Sequence, residues 1–341
     1  MTDSDSKCLA AWQEVCPDQA VRCLLCPHQC LVREGGKGIC RTRVNREGKL
    51  YSLAYGNPCS FGMDPIEKKP LFHFFPGTGI LSLATAGCNF RCLNCQNWEI
   101  SQASPFELKQ YDLGPADVIH QALKHQTNSI AFTYTEPTVF YEYMLEIATL
   151  AHKEGLKTVM ISNGYINKKP LLELCPVLDA ANIDLKAFGD QLYHQLTGGR
   201  LQPVLDTLKA LKEKEVWLEI TQLLIPSYSD DPAMIETMCH WLIENGFQDT
   251  PLHFSRFFPM YKLSQITPTP TTSLVRAKDI AVAAGMKYVY IGNMPGLHGE
   301  NTHCSHCHKL VIEREGYEVN QYNLKAGCCS YCGEPVAGVW T

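Results

Sequence analysis

The stretch ILSLATAGCNFRCLNC, residues 80–95, joins a strand-like run to a loop carrying three cysteines. Ile80–Ala86 is short, apolar and stopped by Gly87, which is how a strand buried on both faces reads. Cys88, Cys92 and Cys95 then fall within eight residues. Three thiolates on one loop suit three corners of a cubane iron–sulfur cluster, whose usual complement is four cysteines. One iron is then left without a protein ligand, open to a small molecule. A zinc knuckle or incidental thiols are the alternatives. Zinc wants a fourth ligand near by, and no local histidine supplies it.

Beyond this loop the chain alternates strand-like and helix-like segments. The strand-like runs are Ser129–Thr133, Thr158–Ile161, Ala181–Leu185, Val216–Leu224, Leu252–Arg256 and Tyr288–Ile291. Between them lie amphipathic stretches such as Pro115–His125, Thr138–Glu154, Pro203–Lys214, Pro232–Asn245 and Ser273–Ala284. Several carry Pro near the start, and Gly155, Gly246 and Gly285 follow the ends, the expected helix punctuation. This is an α/β chain with a parallel sheet, doubly wound or a full or partial barrel. Polar residues recur just after the strands: Tyr134-Thr135-Glu136, Ser162-Asn163-Gly164, Asp184-Leu185-Lys186, Ser255-Arg256 and Gly292-Asn293. Such folds bind ligands at the carboxyl ends of their strands, so these residues and the Cys88 loop should share one mouth.

The chain has 341 residues and 17 cysteines, with 30 Lys plus Arg against 35 Asp plus Glu. A net charge of −5 argues against a nucleic-acid binder. Length and an odd cysteine count argue against a secreted disulfide scaffold. No export signal and no membrane-length apolar run are visible. The expectation is a cytoplasmic protein whose cysteines mostly hold metal. Two further clusters flank the α/β region. Cys23-x2-Cys26-x3-Cys30-x9-Cys40 fits zinc or a complete four-iron cluster. The basic residues Arg41, Arg43, Arg46 and Lys49 follow it as a solvated hairpin face or a docking edge. Cys304-x2-Cys307 and Cys329-x2-Cys332 read as two knuckles of a zinc ribbon around a hairpin-like KLVIEREGYEVNQYNL, with rubredoxin-like iron or a further iron–sulfur cluster as the alternatives. Cys329 is preferred over Cys328 because it keeps the knuckle spacing. Cys175 and Cys239 read as buried inert thiols. The boundaries drawn are 1–78 for the cysteine-rich module and its lead-in, 79–300 for the α/β region and 301–341 for the ribbon.

The motifs CLLCPHQC, DPIEKKPLFHFFPG, GCNFRCLNCQNWEIS, FTYTEPTVF, SNGY, NIDLKAF, HFSRFFPMYKL and YVYIGNMPG resemble the radical S-adenosylmethionine (SAM) enzymes. The likeness is to the AmmeMemoRadiSam-system branch, relatives of the pyruvate formate-lyase-activating enzymes. The resemblance implies a partial (β/α)6-type barrel, a [4Fe-4S] cluster on Cys88, Cys92 and Cys95, and SAM at the open iron. It implies reductive cleavage of SAM to a 5′-deoxyadenosyl radical that takes hydrogen from an unidentified substrate. By the same likeness Glu136 lies near the SAM amino group, Lys186 faces the SAM carboxylate, and Asn163 with Gly164 contacts the ribose. Each has a plainer reading: a helix cap for Glu136, a solvated charge for Lys186, a common turn for Asn163-Gly164. Asn94 departs from the pattern, which has an aromatic residue there beside the adenine. Implied partners are an electron donor such as flavodoxin or ferredoxin, and Memo-like and AMMECR-like proteins. The alternatives are a glycyl-radical-enzyme activase and a catalytically inactive zinc-binding adaptor. DPIEKKPLFHFFPG is expected only to bridge into the first strand, and Arg256 and Tyr261 stand as residues that could face substrate.

Overall fold

A computed structural model describes residues 8–340. Six short strands come first: β1 (Cys8–Leu9), β2 (Gln13–Val15), β3 (Val21–Cys23), β4 (Leu31–Val32), β5 (Arg43–Arg46) and β6 (Lys49–Ser52). They form two small antiparallel sheets, ordered β1-β6-β5 and β2-β3-β4. The main sheet follows with β7 (Ser60–Pro65), β8 (Gly79–Ala84), β9 (Ser129–Phe132), β10 (Lys157–Ser162), β11 (Ala180–Asp184), β12 (Trp217–Leu224), β13 (Leu252–Arg256) and β14 (Val289–Gly292). Strands β8 to β14 are parallel and lie in sequence order, while β7 pairs antiparallel on the β8 edge. Sequential order without a reversal sends every right-handed crossover to the same face. That excludes the doubly wound alternative and leaves an open, partial barrel. It carries seven parallel strands, one more than a six-repeat barrel.

The helices are α1 (Trp98–Ser101), α2 (Pro115–Lys124), α3 (Tyr141–Lys153), α4 (Lys168–Leu174), α5 (Asp190–Thr197), α6 (Leu201–Glu213), α7 (Pro232–Glu244) and α8 (Thr271–Ala283). Local chemistry sets their ends. Asp231 caps α7 by accepting from Met234 N at 2.9 Å, with Pro232 in the first turn. Gly198 ends α5 in the left-handed conformation. The parallel strands are buried on both faces, fully so at Ser129–Phe132. Their outer residues, such as Ile183, Ile220 and Phe254, join one large core with Val204, Met238 and Leu274 of the helices.

Residues 66–75 do more than bridge. Ile66, Leu71 and Phe74 pack against Ile80, Ala131, Val159 and Ala180, all near the strands' starting ends. This segment therefore plugs the N-terminal end of the barrel. Buried Glu219 of β12 accepts from the backbone N–H of Phe72 at 3.0 Å, that of His73 at 2.8 Å, and from His253 Nε2 at 2.6 Å. Asp64 pairs with Lys69 at 2.6 Å and Lys68 at 2.9 Å, and accepts from the Tyr134 hydroxyl.

The C-terminal strands are β15 (Thr302–His303), β16 (Leu310–Glu315), β17 (Glu318–Tyr322), β18 (Leu324–Lys325) and β19 (Cys328–Cys329). The β16–β17 hairpin lies where its sequence predicts. The unit packs on Phe72, Tyr288 and Tyr290, at the plugged end of the barrel. Buried Arg314 donates to the Phe72 carbonyl at 2.7 Å and lies 3.6 Å from Glu67.

The N-terminal sheets dock at the opposite end, over the mouths of β8 to β10. Arg43 is 1% exposed and pairs with Glu142 of α3 at 2.5 Å. It is therefore an anchor, not part of a solvated hairpin face; Lys49 is the exposed member of that basic group. Trp12 Nε1 donates to Glu173 of α4 at 3.0 Å, and Asn167 Nδ2 to the Leu24 carbonyl at 2.6 Å.

Candidate functional site

The Cys88–Cys95 loop leaves the carboxyl end of β8, and Gly87 makes its first turn. Gly87 has φ +95, and a Cβ there would lie 2.5 Å from Thr42 Cγ2 and 2.6 Å from the Cys40 carbonyl. Only glycine meets both demands. Phe90 N donates to Cys88 Sγ at 3.3 Å, and the Cys95 and Ser101 side chains lie 3.2 Å apart. Asn89 ties the loop down. Its Nδ2 donates to the Tyr165 carbonyl at 2.9 Å, its Oδ1 accepts from Asn163 Nδ2 at 2.8 Å, and its carbonyl lies 2.8 Å from His28 Nε2. The residue type gave no signal for this beyond standing next to Cys88.

Glu136 and the SNG turn meet directly. Glu136 Oε1 accepts from Thr138 N at 3.0 Å, Thr138 Oγ1 at 2.7 Å and Ser162 Oγ at 2.7 Å; Oε2 accepts from Asn163 N at 2.8 Å. The carboxylate thus does cap a turn, and it also locks two strand ends together. Burial pushes its pKa up, and these donors oppose that. Oε2 keeps acceptor capacity, since a carboxylate oxygen has two lone pairs. Asn163 is committed through both side-chain atoms, with Oδ1 accepting from Tyr165 N at 2.9 Å and Nδ2 3.9 Å from Cys88 Sγ. Gly164 has φ +69, and a Cβ there would fall 2.9 Å from Ile183 Cγ2 and 3.2 Å from Val204 Cγ1. The glycine is thus required by close packing on the core behind the turn.

Lys186 stands across the mouth, 2.7 Å from Asp184. Burial works to lower its pKa, but the Asp184 carboxylate outweighs it and holds the ammonium charged. Burial pushes the Cys92 thiol up to about 12, with Lys186 opposing. A bound metal cation reverses that by favouring the thiolate. Asn94 Oδ1 and Thr221 Oγ1 are buried without partners. Orphan polar atoms at a mouth are what a polar ligand satisfies. On the rim, Tyr261 stacks on Trp98 at 5.2 Å between ring centroids. Arg256 Nε donates to the Thr269 carbonyl at 2.9 Å.

The thiol spacings separate two kinds of site. Cys304, Cys307, Cys329 and Cys332 have sulfurs all within 4.8 Å of one another, with Cys304–Cys332 at 3.6 Å and Cys307–Cys329 at 3.7 Å. Four thiolates about 2.3 Å from one tetrahedral ion lie about 3.8 Å apart. The four cysteines therefore fit a single tetrahedral metal ion, and Cys329 rather than Cys328 completes the set. Among the described residues no other three His, Cys, Asp or Glu ligand atoms come so close together. The Cys88, Cys92 and Cys95 sulfurs are not all within 4.8 Å of one another, so they are not drawn together on one ion as the Cys304 set is. The residues present therefore fit an iron–sulfur cluster with one open iron.

Comparisons with known proteins agree on the family. Residues 82–239 match the radical SAM superfamily. The chain is 45% identical over 329 residues to the uncharacterized protein MJ0808 of Methanocaldococcus jannaschii, covering 96% of this chain and 98% of that one. It is 24% identical over 220 residues to the pyruvate formate-lyase 1-activating enzyme of Escherichia coli, covering 60% and 89% of the two chains. Among solved structures it matches SuiB of Streptococcus suis bound to S-adenosylmethionine, with 15% identity, 70% and 56% coverage and a TM-score of 0.49. A superfamily with this chemistry implies a [4Fe-4S] cluster and SAM, and no helix among the described residues is long and apolar enough to cross a membrane. With three cysteines on the loop after the first parallel strand, homology to activating enzymes, and near full-length kinship to the archaeal protein, the chain belongs to the radical SAM superfamily.

Proposed function

We propose that this chain is a radical SAM enzyme acting on a substrate other than SAM itself. The observation that carries the reading is the Cys88, Cys92 and Cys95 loop, with no fourth cysteine, at the open mouth of the barrel beside Lys186. When bound and reduced, such a cluster supplies one-electron cleavage of SAM to methionine and a 5′-deoxyadenosyl radical, which takes hydrogen from the substrate. This chain's residues hold the parts. Lys186 is a charge-assisted partner for the SAM carboxylate. Glu136 Oε2 is an acceptor for its amine, and Asn94 Oδ1 is a buried acceptor near the third cysteine. The plug closes the end of the barrel away from the cluster loop to water. A one-electron donor of the flavodoxin or ferredoxin kind completes the reaction. Memo-like and AMMECR-like proteins are the partners that the sequence resemblance favours, and the C-terminal tetrathiolate is read as zinc.

The test is anaerobic. Protein reconstituted with iron and sulfide, reduced with dithionite and given SAM should form 5′-deoxyadenosine. A cluster-loaded sample that makes none overturns the reading in favour of a zinc-binding adaptor. Cys92→Ala should abolish the product. Deuterium transfer from a glycine-labelled partner protein into 5′-deoxyadenosine would favour the activase alternative.

A further inference from the structure

The N-terminal cysteines form a second site directly behind the first. Cys23, Cys26, Cys30 and Cys40 all line one cavity, which Asn89 of the Cys88 loop also lines. Its volume of about 20 Å³ exceeds the roughly 10–15 Å³ that one water needs. A single zinc leaves no such space, because it draws its thiolates to sulfur–sulfur contact, as in the Cys304 set. No three of the N-terminal sulfurs come within 4.8 Å of one another among the described residues. One chain thus holds both arrangements: a collapsed tetrathiolate at its C-terminal end and an open ring of four thiols at its N-terminal end.

A second observation points to the same occupant. Arg43 lines the cavity, is 1% exposed, and its Nε is buried with no hydrogen-bond partner. Its other nitrogens are spoken for, by the Ala11 carbonyl at 2.9 Å and Glu142 at 2.5 Å. A buried donor left free beside four thiols suits an acceptor that arrives with the ligand, such as a cluster sulfide or an iron-bound thiolate.

We propose that Cys23, Cys26, Cys30 and Cys40 hold a second, complete four-iron cluster. All four of its irons are ligated by protein, so it presents no open iron to SAM. It sits against the Cys88 loop, since the Cys40 carbonyl packs on Gly87 and His28 reaches the Asn89 carbonyl. The proposal does not rest on SAM cleavage, and its test removes the Cys88 set altogether.

The Cys88→Ala/Cys92→Ala/Cys95→Ala variant, reconstituted anaerobically, should keep about four irons and as many sulfides per chain, against about eight of each in the unaltered protein. It should also give an electron paramagnetic resonance signal after dithionite reduction. Adding Cys26→Ala and Cys30→Ala should remove that iron and sulfide. A triple variant that carries two zincs and no sulfide overturns the proposal. The unaltered protein poses the same question without any substitution: about eight sulfides support a second cluster, and about four with two zincs overturn it. Sulfide is the deciding count, because a rubredoxin-type iron in the Cys304 set adds none.

Discussion

At the residue scale, single positions carry two cofactor sites at once. Gly87 lets the Cys88 loop lie on the Cys40–Thr42 backbone. Gly87→Ala combines a disfavoured φ with backbone overlap and should cost roughly 2–4 kcal/mol. A lowered urea midpoint checks this; an unchanged one would mean that the two loops can move apart freely. Lys186 makes a different prediction. Lys186→Met should leave cluster iron unchanged but weaken SAM binding by roughly 10–100-fold, the worth of a charge-assisted hydrogen bond. Equilibrium SAM binding to iron-matched samples reads it, and equal affinities would remove Lys186 from the site. The Cys88, Cys92 and Cys95 loop was legible because thiolate spacing is a local pattern. The commitments of Glu136 and Asn163 were not, because Ser162 and Asn89 reach them only across the fold.

At the element scale, the segment from Asp64 to Phe75 is a plug held by polar pins. His73 joins β14 and the tail: Nδ1 lies 2.6 Å from the Ala337 carbonyl, and Nε2 faces the Tyr290 hydroxyl. The ring also lies among Trp217, Tyr288 and Trp340, near Glu219, Arg314 and His253. Burial lowers its pKa to about 4, although Glu219 opposes the shift. The unfolded chain takes up this proton below about pH 6.5, the folded chain only near pH 4. Between those values the unfolded state binds more protons, so this part of the stability falls as pH drops from 6.5 to 4, by about 3 kcal/mol in all. Urea midpoints across that window should fall more steeply for the unaltered protein than for His73→Gln. Identical slopes would mean that His73 does not titrate with unfolding. Periodicity placed most strands and long helices within a few residues. It did not mark β7 or the plug, because mixed charge and aromatic residues have no period there, and their partners lie up to 264 residues away.

At the scale of the whole molecule, the two flanking cysteine units occupy opposite ends of one barrel. The Cys304 unit braces the plug through Arg314 and Ala337, remote from the Cys88 loop at the mouth. Cys304→Ser/Cys307→Ser should therefore lose one metal ion per chain and lose stability on the order of several kcal/mol, since such binding energy is folding energy. It should still retain the iron of the Cys88 set. Metal analysis alongside thermal unfolding tests this, and simultaneous loss of that iron would show that the two ends are coupled. By itself the sequence determined the α/β class, the polar residues at the strand ends and the four cysteines of the C-terminal set, because these follow from spacing along a few residues. Only the tertiary structure decided that the barrel is singly wound with seven parallel strands, that one end is plugged, and that the first cysteine set abuts the second. Those outcomes depend on crossover handedness and on which buried groups find partners, and neither is encoded in any single stretch of chain.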